Sequence, residues 1–569
     1  MVGPRKSELA RWRTFLLLGA AAVLAVGCTQ SATEPVAESD ETNPPSSDVA
    51  REPAAGPVEA AKRTEQLFAR NCAACHGENG DGQGLAAQFL FPKPRDLRAG
   101  RFRLVSTSNG VPTLDDMIAV LRRGMPGSSM PPWSHLGDEQ IRQLAEHVLG
   151  LRRQGAKEIL LAALDDSGDE LPPEEVDEIV AQLTTPSEVV PVSGLAQATP
   201  ESVARGKELY VSKACVQCHG AKGKGDGQEK MVDAEGLPTR PRDFTQGVFK
   251  GNTDPASIWR RISMGMPGTP MPSSPNLSPD EVADMTHFVL SHSDEATRES
   301  TVLRRQRIIA RKVAEVPNTA DAAVWQQVPA VQLRMVPLWW RDNADPDLRV
   351  QAVHDGKSLC LRLSWADANA NTEAGRSEDF EDAVAVELYR GAAEPFFGMG
   401  AAGAPIDMWF WDADRQFAAD LEDTNPNIVV DVDAFNEGPV SSGEYRRDGT
   451  KTAAQPQVSL AAAAVGNPIV PGQNVPAASS LETAGPGSVT FRPRTSQLVA
   501  AHGQWSDGRW TVLMSRALRV ESASQGVSLA PGEKASLAIA VWDGAVQDRD
   551  GKKLVTIWQD FELERSTSR

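Results

Sequence analysis

Two short segments of this chain spell one pattern. Cys72-Ala-Ala-Cys75-His76 and Cys215-Val-Gln-Cys218-His219 are both C-x-x-C-H. Each is followed by a Met-Pro loop, Gly124-Met-Pro-Gly-Ser-Ser-Met130-Pro and Gly265-Met-Pro-Gly-Thr-Pro-Met271-Pro. C-x-x-C-H is the attachment site of c-type heme: two thiols bond the porphyrin and the adjacent imidazole takes an axial position on the iron. A later Met can supply the opposite ligand, and a His/Met pair raises the reduction potential. A chain so marked must wrap a crevice around each group. With six Cys and eight His in 569 residues, chance would give one such motif about 10⁻³ times per chain. A zinc site would need four ligands, and no second Cys pair lies near either motif.

The repeat extends beyond the motifs. Leu67 and Phe68 match Tyr210 and Val211 on a helical pattern before each motif. A Gly-rich turn follows, Gly80-Asp-Gly-Gln83 or Gly225-Asp-Gly-Gln228, then Pro94-Arg95-Asp96 or Pro241-Arg242-Asp243. After the Met, Ile141, Leu144, Ala145 and Val148 match Val282, Met285, Thr286 and Val289, one face of an amphipathic helix. Ser278-Pro-Asp-Glu281 reads as a capping box with Pro at the first helical position. Residues 58–152 and 198–295 each resemble the small all-helical class I cytochrome c. The resemblance implies His76 and His219 as proximal ligands and Met130 and Met271 as distal ones, with Met125 and Met266 as rivals. Arg95 and Arg242 are candidates to pair with heme propionates.

The start of the chain speaks to compartment. Arg5, Lys6, Arg11 and Arg13 precede an apolar run from Phe15 to Val26, a signal-peptide pattern too short for a comfortable membrane span. The run ends in Ala25-Val-Gly-Cys28, which resembles a bacterial lipobox. The expectation is a signal peptide over 1–28, lipid on Cys28, and a disordered tether over 29–57, poor in large apolar residues. Export suits covalent heme attachment. The net charge of −18 disfavours nucleic acid and a broad basic docking face. One Cys for lipid and four for heme leave Cys360 alone, expected as a small core residue.

Residues 153–197 predict two short helices around Pro172-Pro173, a spacer between the cytochrome segments. Residues 296–313, with Arg298, Arg304, Arg305, Arg307, Arg311 and Lys312, predict a basic linker helix. His147 replaces Phe288 of the repeat and is expected to pack; His287 and His292 are expected to be solvated. His135, near Met130, is a weak alternative ligand.

From about 314 the texture changes. Ten of thirteen Trp lie here, and alternation replaces helical spacing: Leu359, Leu361, Leu363, Trp365; then Val384, Val386 and Leu388 opposite Ala383, Ala385 and Glu387; then Leu537, Ile539 and Val541. Asp355-Gly356 and Asp507-Gly508 are hairpin signals. The expectation for 314–569 is a mainly-β sandwich, with long loops over 415–500. Leu363-Ser-Trp365-Ala-Asp367, Asp379-Phe-Glu-Asp382, Pro395-Phe-Phe-Gly-Met399-Gly400, Trp409-Phe-Trp411, Trp510 to Arg516 and Ala540-Val-Trp542-Asp-Gly544 resemble the heme-b-binding γ subunit of ethylbenzene dehydrogenase. Its relatives serve molybdoenzymes of the dimethyl sulfoxide reductase family, including dimethyl sulfide dehydrogenase, selenate and chlorate reductases and nitrite oxidoreductase. The resemblance implies a noncovalent b heme between Met399 and Lys553, with Lys552 as rival, and a lysine ligand must be neutral.

Together these readings describe an exported, lipid-anchored electron-transfer subunit with two c hemes and one b heme and no catalytic residue of its own. Its expected partners are molybdenum/iron-sulfur catalytic subunits and a quinol-linked or soluble carrier. A second reading takes the sandwich texture as similar to family 9 carbohydrate-binding modules, with 314–569 a binding module carrying no heme.

Overall fold

The computed structural model describes residues 57–99, 101–227, 230–341, 347–373, 378–391, 393–416 and 477–565. Cys28, the signal and tether expectations, Gln228 and most of the expected loop at 415–500 lie outside these. Among the described residues no helix is long and apolar enough to cross a membrane.

Helix α1 (Pro57–Asn71) runs into α2 (Ala73–His76), the single turn that carries the first C-x-x-C-H. Helix α3 (Leu114–Arg123) starts at a capping box: Thr113 Oγ1 accepts from the Asp116 N–H, and the Asp116 carboxylate accepts from the Thr113 N–H. Helix α4 (Asp138–Ser167) ends on left-handed Gly168. Leu67, Phe68, Met117, Leu121, Ile141, Leu144, Ala145 and Val148 form the core of this bundle. The expected domain edge at 152 falls inside α4, whose apolar period carries on through Leu160 and Leu164. Only α5 (Pro173–Thr184) is a separate spacer helix, and Val176 and Val180 pack it on Ala156 of α4.

The second bundle repeats the plan with α6 (Pro200–Ser212), α7 (Val216–His219), α8 (Pro255–Met264) and α9 (Pro279–Leu290). The Ser278/Glu281 box caps α9. Helices α6 and α9 touch backbone to backbone at Gly206, where a Cβ would lie 2.1 Å from the Asp284 carbonyl oxygen. Only glycine permits that approach. Arg205 clamps Asp284 beside it with hydrogen bonds of 2.6 and 2.8 Å. This segment is not wholly helical, because β1 (Met231–Val232) and β2 (Pro238–Thr239) form a small antiparallel hairpin.

The basic linker helix is corrected. Helix α10 (Glu295–Ser300) stops early, and Arg307–Lys312 is strand β3. Ile308 and Ala310 alternate inward, a period of two that six closely spaced cations obscured. The cations are paired internally: Arg305 with Glu394 and Asp560, Arg307 with Glu562, Arg311 with Glu564 and Arg304 with Glu299. They form no free patch for an acidic partner.

The remaining strands are β4 (Val331–Arg334), β5 (Val336–Pro337), β6 (Asp347–His354), β7 (Ser358–Ala366), β8 (Ala383–Tyr389), β9 (Ile406–Asp412), β10 (Ala478–Thr483), β11 (Thr490–Phe491), β12 (Ala500–Ser506), β13 (Arg509–Ala517), β14 (Lys534–Trp542), β15 (Leu554–Val555) and β16 (Gln559–Leu563). The main order is β11-β10-β9-β8-β14-β16-β3-β6-β7-β13-β12. Strand β3 pairs parallel with β16 and with β6, joining two antiparallel halves. Both halves feed one core: Leu348, Leu361, Leu363, Trp510 and Val512 from one, Val384, Val386, Trp409, Trp411, Ile539 and Phe561 from the other. Asp507 and Gly508 both have positive φ, as a two-residue hairpin between β12 and β13 requires. Strands β10 and β11 fall inside the stretch expected to be loop.

Candidate functional site

Each heme motif sits on one turn of helix at the mouth of an apolar crevice. The first crevice is lined by Phe68, Cys72, Cys75, His76, Met117, Met125, Met130 and Val148, so the motif and the Met-Pro loop both border it. The second is lined by Tyr210, Cys215, Cys218, His219, Phe244, Met266, Met271 and Val289. Both Met candidates face each crevice. The Met125 N–H bonds the Met130 carbonyl at 3.1 Å, as the Met266 N–H does that of Met271, so the loops share one shape.

The residues suit a c heme in both places. His76 Nδ1 hydrogen-bonds the Arg95 carbonyl at 2.9 Å, fixing the ring with Nε2 free for a metal. Burial lowers its proton affinity, which keeps the imidazole neutral. His219 is stacked on Phe244 at 5.0 Å and burial depresses it to about 4; its Nδ1 has no hydrogen-bond partner. Burial pushes the Cys72 and Cys75 thiols up to about 12, which disfavours metal-binding thiolates. Among the described residues, the group of carboxylates, thiols and imidazoles close enough to hold a metal ion is Asp367, Asp382 and Asp543, not either C-x-x-C.

Cations gather where the crevices adjoin. Arg95 and Arg103 of the first bundle and Arg242 and Lys250 of the second line the first crevice. Arg242 and Lys250 also line the second. Arg95 bonds Glu235 at 2.5 Å and Arg103 bonds Asp233 at 2.8 Å. The Nε atoms of Arg103 and Arg242 are buried without hydrogen-bond partners among the described residues. Burial and then Arg103 bring Arg242 down to about 10; burial and then Arg242 bring Lys250 down to about 7. Arg95 and Arg242 were expected here, whereas Arg103 and Lys250 were not. The repeat held the signal: Phe102-Arg103 and Phe249-Lys250 stand at the same offset from Pro-Arg-Asp.

The third place is on the outer face of the β8/β14 half-sheet. Lys553 Nζ lies 4.0 Å from Met399 Sδ. Metal–sulfur and metal–nitrogen bonds of about 2.3 and about 2.0 Å would span a similar gap. Met399 is a non-glycine residue at φ 80°, a conformation stored where structure elsewhere enforces it. Its carbonyl accepts from the Thr483 hydroxyl at 2.9 Å and the Gly485 N–H at 2.8 Å. Lys553 is 7% exposed and its Nζ stands 4.6 Å from the Trp542 ring centroid. Burial lowers its proton affinity, while buried Glu387, itself pushed up to about 8 by burial, partly restores it. Lys552, the rival, is exposed. Glu387 was legible as part of an alternating strand, but not as buried: its face is covered. Phe396, Phe397, Trp542 and Trp558 pack there with Ala86 and Leu90 and with partly buried Ala74 and Cys75 of the first bundle. Phe396 also lines the first crevice.

Other expectations fall out variously. His147 packs on Phe68 at 4.9 Å, and Cys360 is buried in a small apolar cluster. His287 is not solvated: it is buried, with Nδ1 bonded to Ser202 Oγ at 2.8 Å and Nε2 to the Ala196 carbonyl at 3.0 Å. Its polar ring sits where α9 faces the chain leading into α6, a contact that helical spacing alone does not reveal. His292 is half-buried between Phe288 and Phe244. His135 faces the cleft toward Arg305 and Glu394, outside the first crevice.

Comparison with known proteins finds three family models along the chain. The family model "Cytochrome C oxidase, cbb3-type, subunit III" matches residues 59–148, "Cytochrome c" matches 203–293 and "Ethylbenzene dehydrogenase" matches 322–554. A protein of Haloferax mediterranei, named as a respiratory nitrate reductase heme subunit, is 26% identical over 43% of this chain and 68% of its own. The chlorate reductase subunit gamma of Ideonella dechloratans is 27% identical over 46% of this chain and 88% of its own. The dimethylsulfide dehydrogenase subunit gamma of Rhodovulum sulfidophilum is 25% identical over 42% and 73%. The chain thus carries two cytochrome c domains and a domain that resembles the γ subunits matched by the ethylbenzene dehydrogenase model.

Proposed function

We propose that this chain is the electron-transfer subunit of an exported respiratory oxidoreductase, carrying two c hemes and one b heme. The observation that carries the reading is the buried approach of Lys553 to Met399 on the face that also packs the first cytochrome domain. Bound heme iron supplies one-electron exchange between its ferric and ferrous states. The protein does the rest. Cys72, Cys75, Cys215 and Cys218 would tether the c groups, and His76 with Met130, and His219 with Met271, would donate to their irons. Burial keeps Lys553 available as a neutral nitrogen, and the strained Met399 turn aims a sulfur at it. Apolar walls exclude water at all three places.

The partner is a molybdenum/iron-sulfur catalytic pair of the kind that the γ-type relatives serve, and a quinol-linked or soluble carrier takes the other end. Phe396 lines the first c crevice and lies three residues before Met399. The first cytochrome domain is therefore the neighbour of the sandwich site, and the order runs b, first c, second c. Export and a lipid on Cys28 place this wiring outside the cytoplasmic membrane. The carbohydrate-binding alternative has less support, because the apolar face in question is covered by the cytochrome domain rather than open to a polymer.

A pyridine hemochrome assay on purified full-length protein tests the reading. The expected result is two covalent c hemes and one acid-acetone-extractable b heme per chain. Two c hemes without b, in cofactor-replete protein, would overturn the γ-type assignment.

A further inference from the structure

We infer that Arg242 and Lys250 form one cationic seat shared by both c crevices, each crevice's heme placing a propionate on it. The inference rests on the heme reading above and goes beyond it in naming a link between the two cytochrome domains. Both side chains belong to the second domain, yet both line the first crevice as well as their own. Arg242 does not merely brush the first domain. A Cβ at Gly127, in the first Met-Pro loop, would stand 2.8 Å from Arg242 Nε, so that loop is shaped to admit the guanidinium. Gly127 has φ 73°, a conformation that also suits glycine.

Charge points the same way. Arg95, Arg103, Arg242 and Lys250 act on one another, and Asp233 and Glu235 are the carboxylates that oppose them. Four basic side chains against two carboxylates leave positive charge in excess, most of all on the guanidiniums. Buried cations without partners cost several kcal/mol each, so a fold retains them where an anion arrives. The buried Nε atoms of Arg103 and Arg242 still lack acceptors among the described residues. A heme brings two carboxylates, and guanidinium is the group suited to receive them in fixed geometry. Because the seat is common, Arg242 and Lys250 are positioning residues for both hemes. They hold the propionate edges of the two groups toward each other and let a change of charge on one be felt at the other.

The test uses the holo full-length protein and a spectroelectrochemical titration of the c-heme bands. Removing a cation near an iron favours the ferric state, so Arg242→Gln and Lys250→Gln should each move both c waves to lower potential. Arg95→Gln, which lines only the first crevice, should move one wave, and Arg242→Lys should restore both toward wild type. A shift of a single wave, or none, in both Arg242→Gln and Lys250→Gln would overturn the shared seat. Should Arg242→Gln lose heme or fail to fold, Lys250→Gln alone decides by the same criterion. Failure of the heme reading is a separate result: it shows as missing c-type heme in the hemochrome of the unmutated protein, whatever the potentials do.

Discussion

Lys553→Ala separates the two halves of the sandwich-site argument, holding a heme and holding the fold. Lys553 is buried beside Glu387 and Met399. Breaking a buried ion pair costs about 3–5 kcal/mol, because the remaining charge is stranded. Here burial pushes Glu387 up, and without Lys553 opposite it the carboxyl takes up a proton more readily still, so it relieves the stranded charge. What is lost is the buried stem, three methylenes at about 0.8 kcal/mol each, or about 2–3 kcal/mol. The variant should therefore fold, with a denaturant midpoint moderately lowered. The heme content should change far more: the extractable b heme falls from one per two c hemes to near zero, while the covalent c hemes stay. Alanine is the right replacement, since a methionine could itself ligate iron. Lys552→Ala, at the exposed neighbour, should keep its b heme. Full b-heme content with an unchanged spectrum in Lys553→Ala would refute the ligand assignment, and b loss in Lys552→Ala instead would move it by one residue.

Two further outcomes concern stability. Asp407 is 2% exposed and accepts from Arg516 at 2.6 Å, with Arg492 at 3.7 Å; Arg492 keeps Glu482 at 3.3 Å, but Asp407→Ala strands the buried Arg516 guanidinium and should cost about 3–5 kcal/mol, read as a lowered denaturant midpoint with the helical bundles' heme spectra intact. Asp367 and Asp382 are raised to about 7 and about 6 by burial, with Asp382 the next cause for Asp367. Their folded-state values lie above the unfolded ones, so their contribution is whole below about pH 4 and is lost as pH rises toward 7. Urea midpoints should show this decline, and Asp367→Asn should flatten it; a slope unchanged in the variant would contradict the assignment.

How much of this was written in the sequence depends on whether the cause was local. The two crevices were legible because C-x-x-C-H, the Met-Pro loop and the closing helix are local patterns with one chemical use. The α9 start was legible for the same reason, since Ser278 and Glu281 cap it within four residues. Strand β3 was not, because its partners β16 and β6 are remote and its cations imitate a polar helix. The burial of Glu387 was not legible, because alternation marks two faces without saying that both are covered. The cover comes from a domain some 300 residues earlier in the chain, at Ala86 and Leu90. Lys250 and Arg103 show the opposite case, a signal present in the repeat at matching offsets but without meaning until both crevices were seen to converge on them.

The duplicated cytochrome domains differ where the repeat looks most alike, and the differences predict a direction. His76 donates from Nδ1 to the Arg95 carbonyl at 2.9 Å, whereas His219 Nδ1 has no partner among the described residues. A hydrogen bond at the distal nitrogen of a ligating imidazole makes it a stronger donor. Stronger donation favours the ferric state, so the first c heme should have the lower potential of the two. Arg242 and Lys250 line both crevices and so do not themselves set this ordering. Electrons arriving from the sandwich site would then meet the first c heme and pass downhill to the second. A redox titration of the holo protein should resolve two c waves. Met130→Ala should displace the lower wave, and Met271→Ala the higher one, to lower potential, each with loss of its Met–iron charge-transfer band. If the lower wave is instead the one displaced by Met271→Ala, the gradient runs toward the sandwich site, and the second domain is where electrons enter.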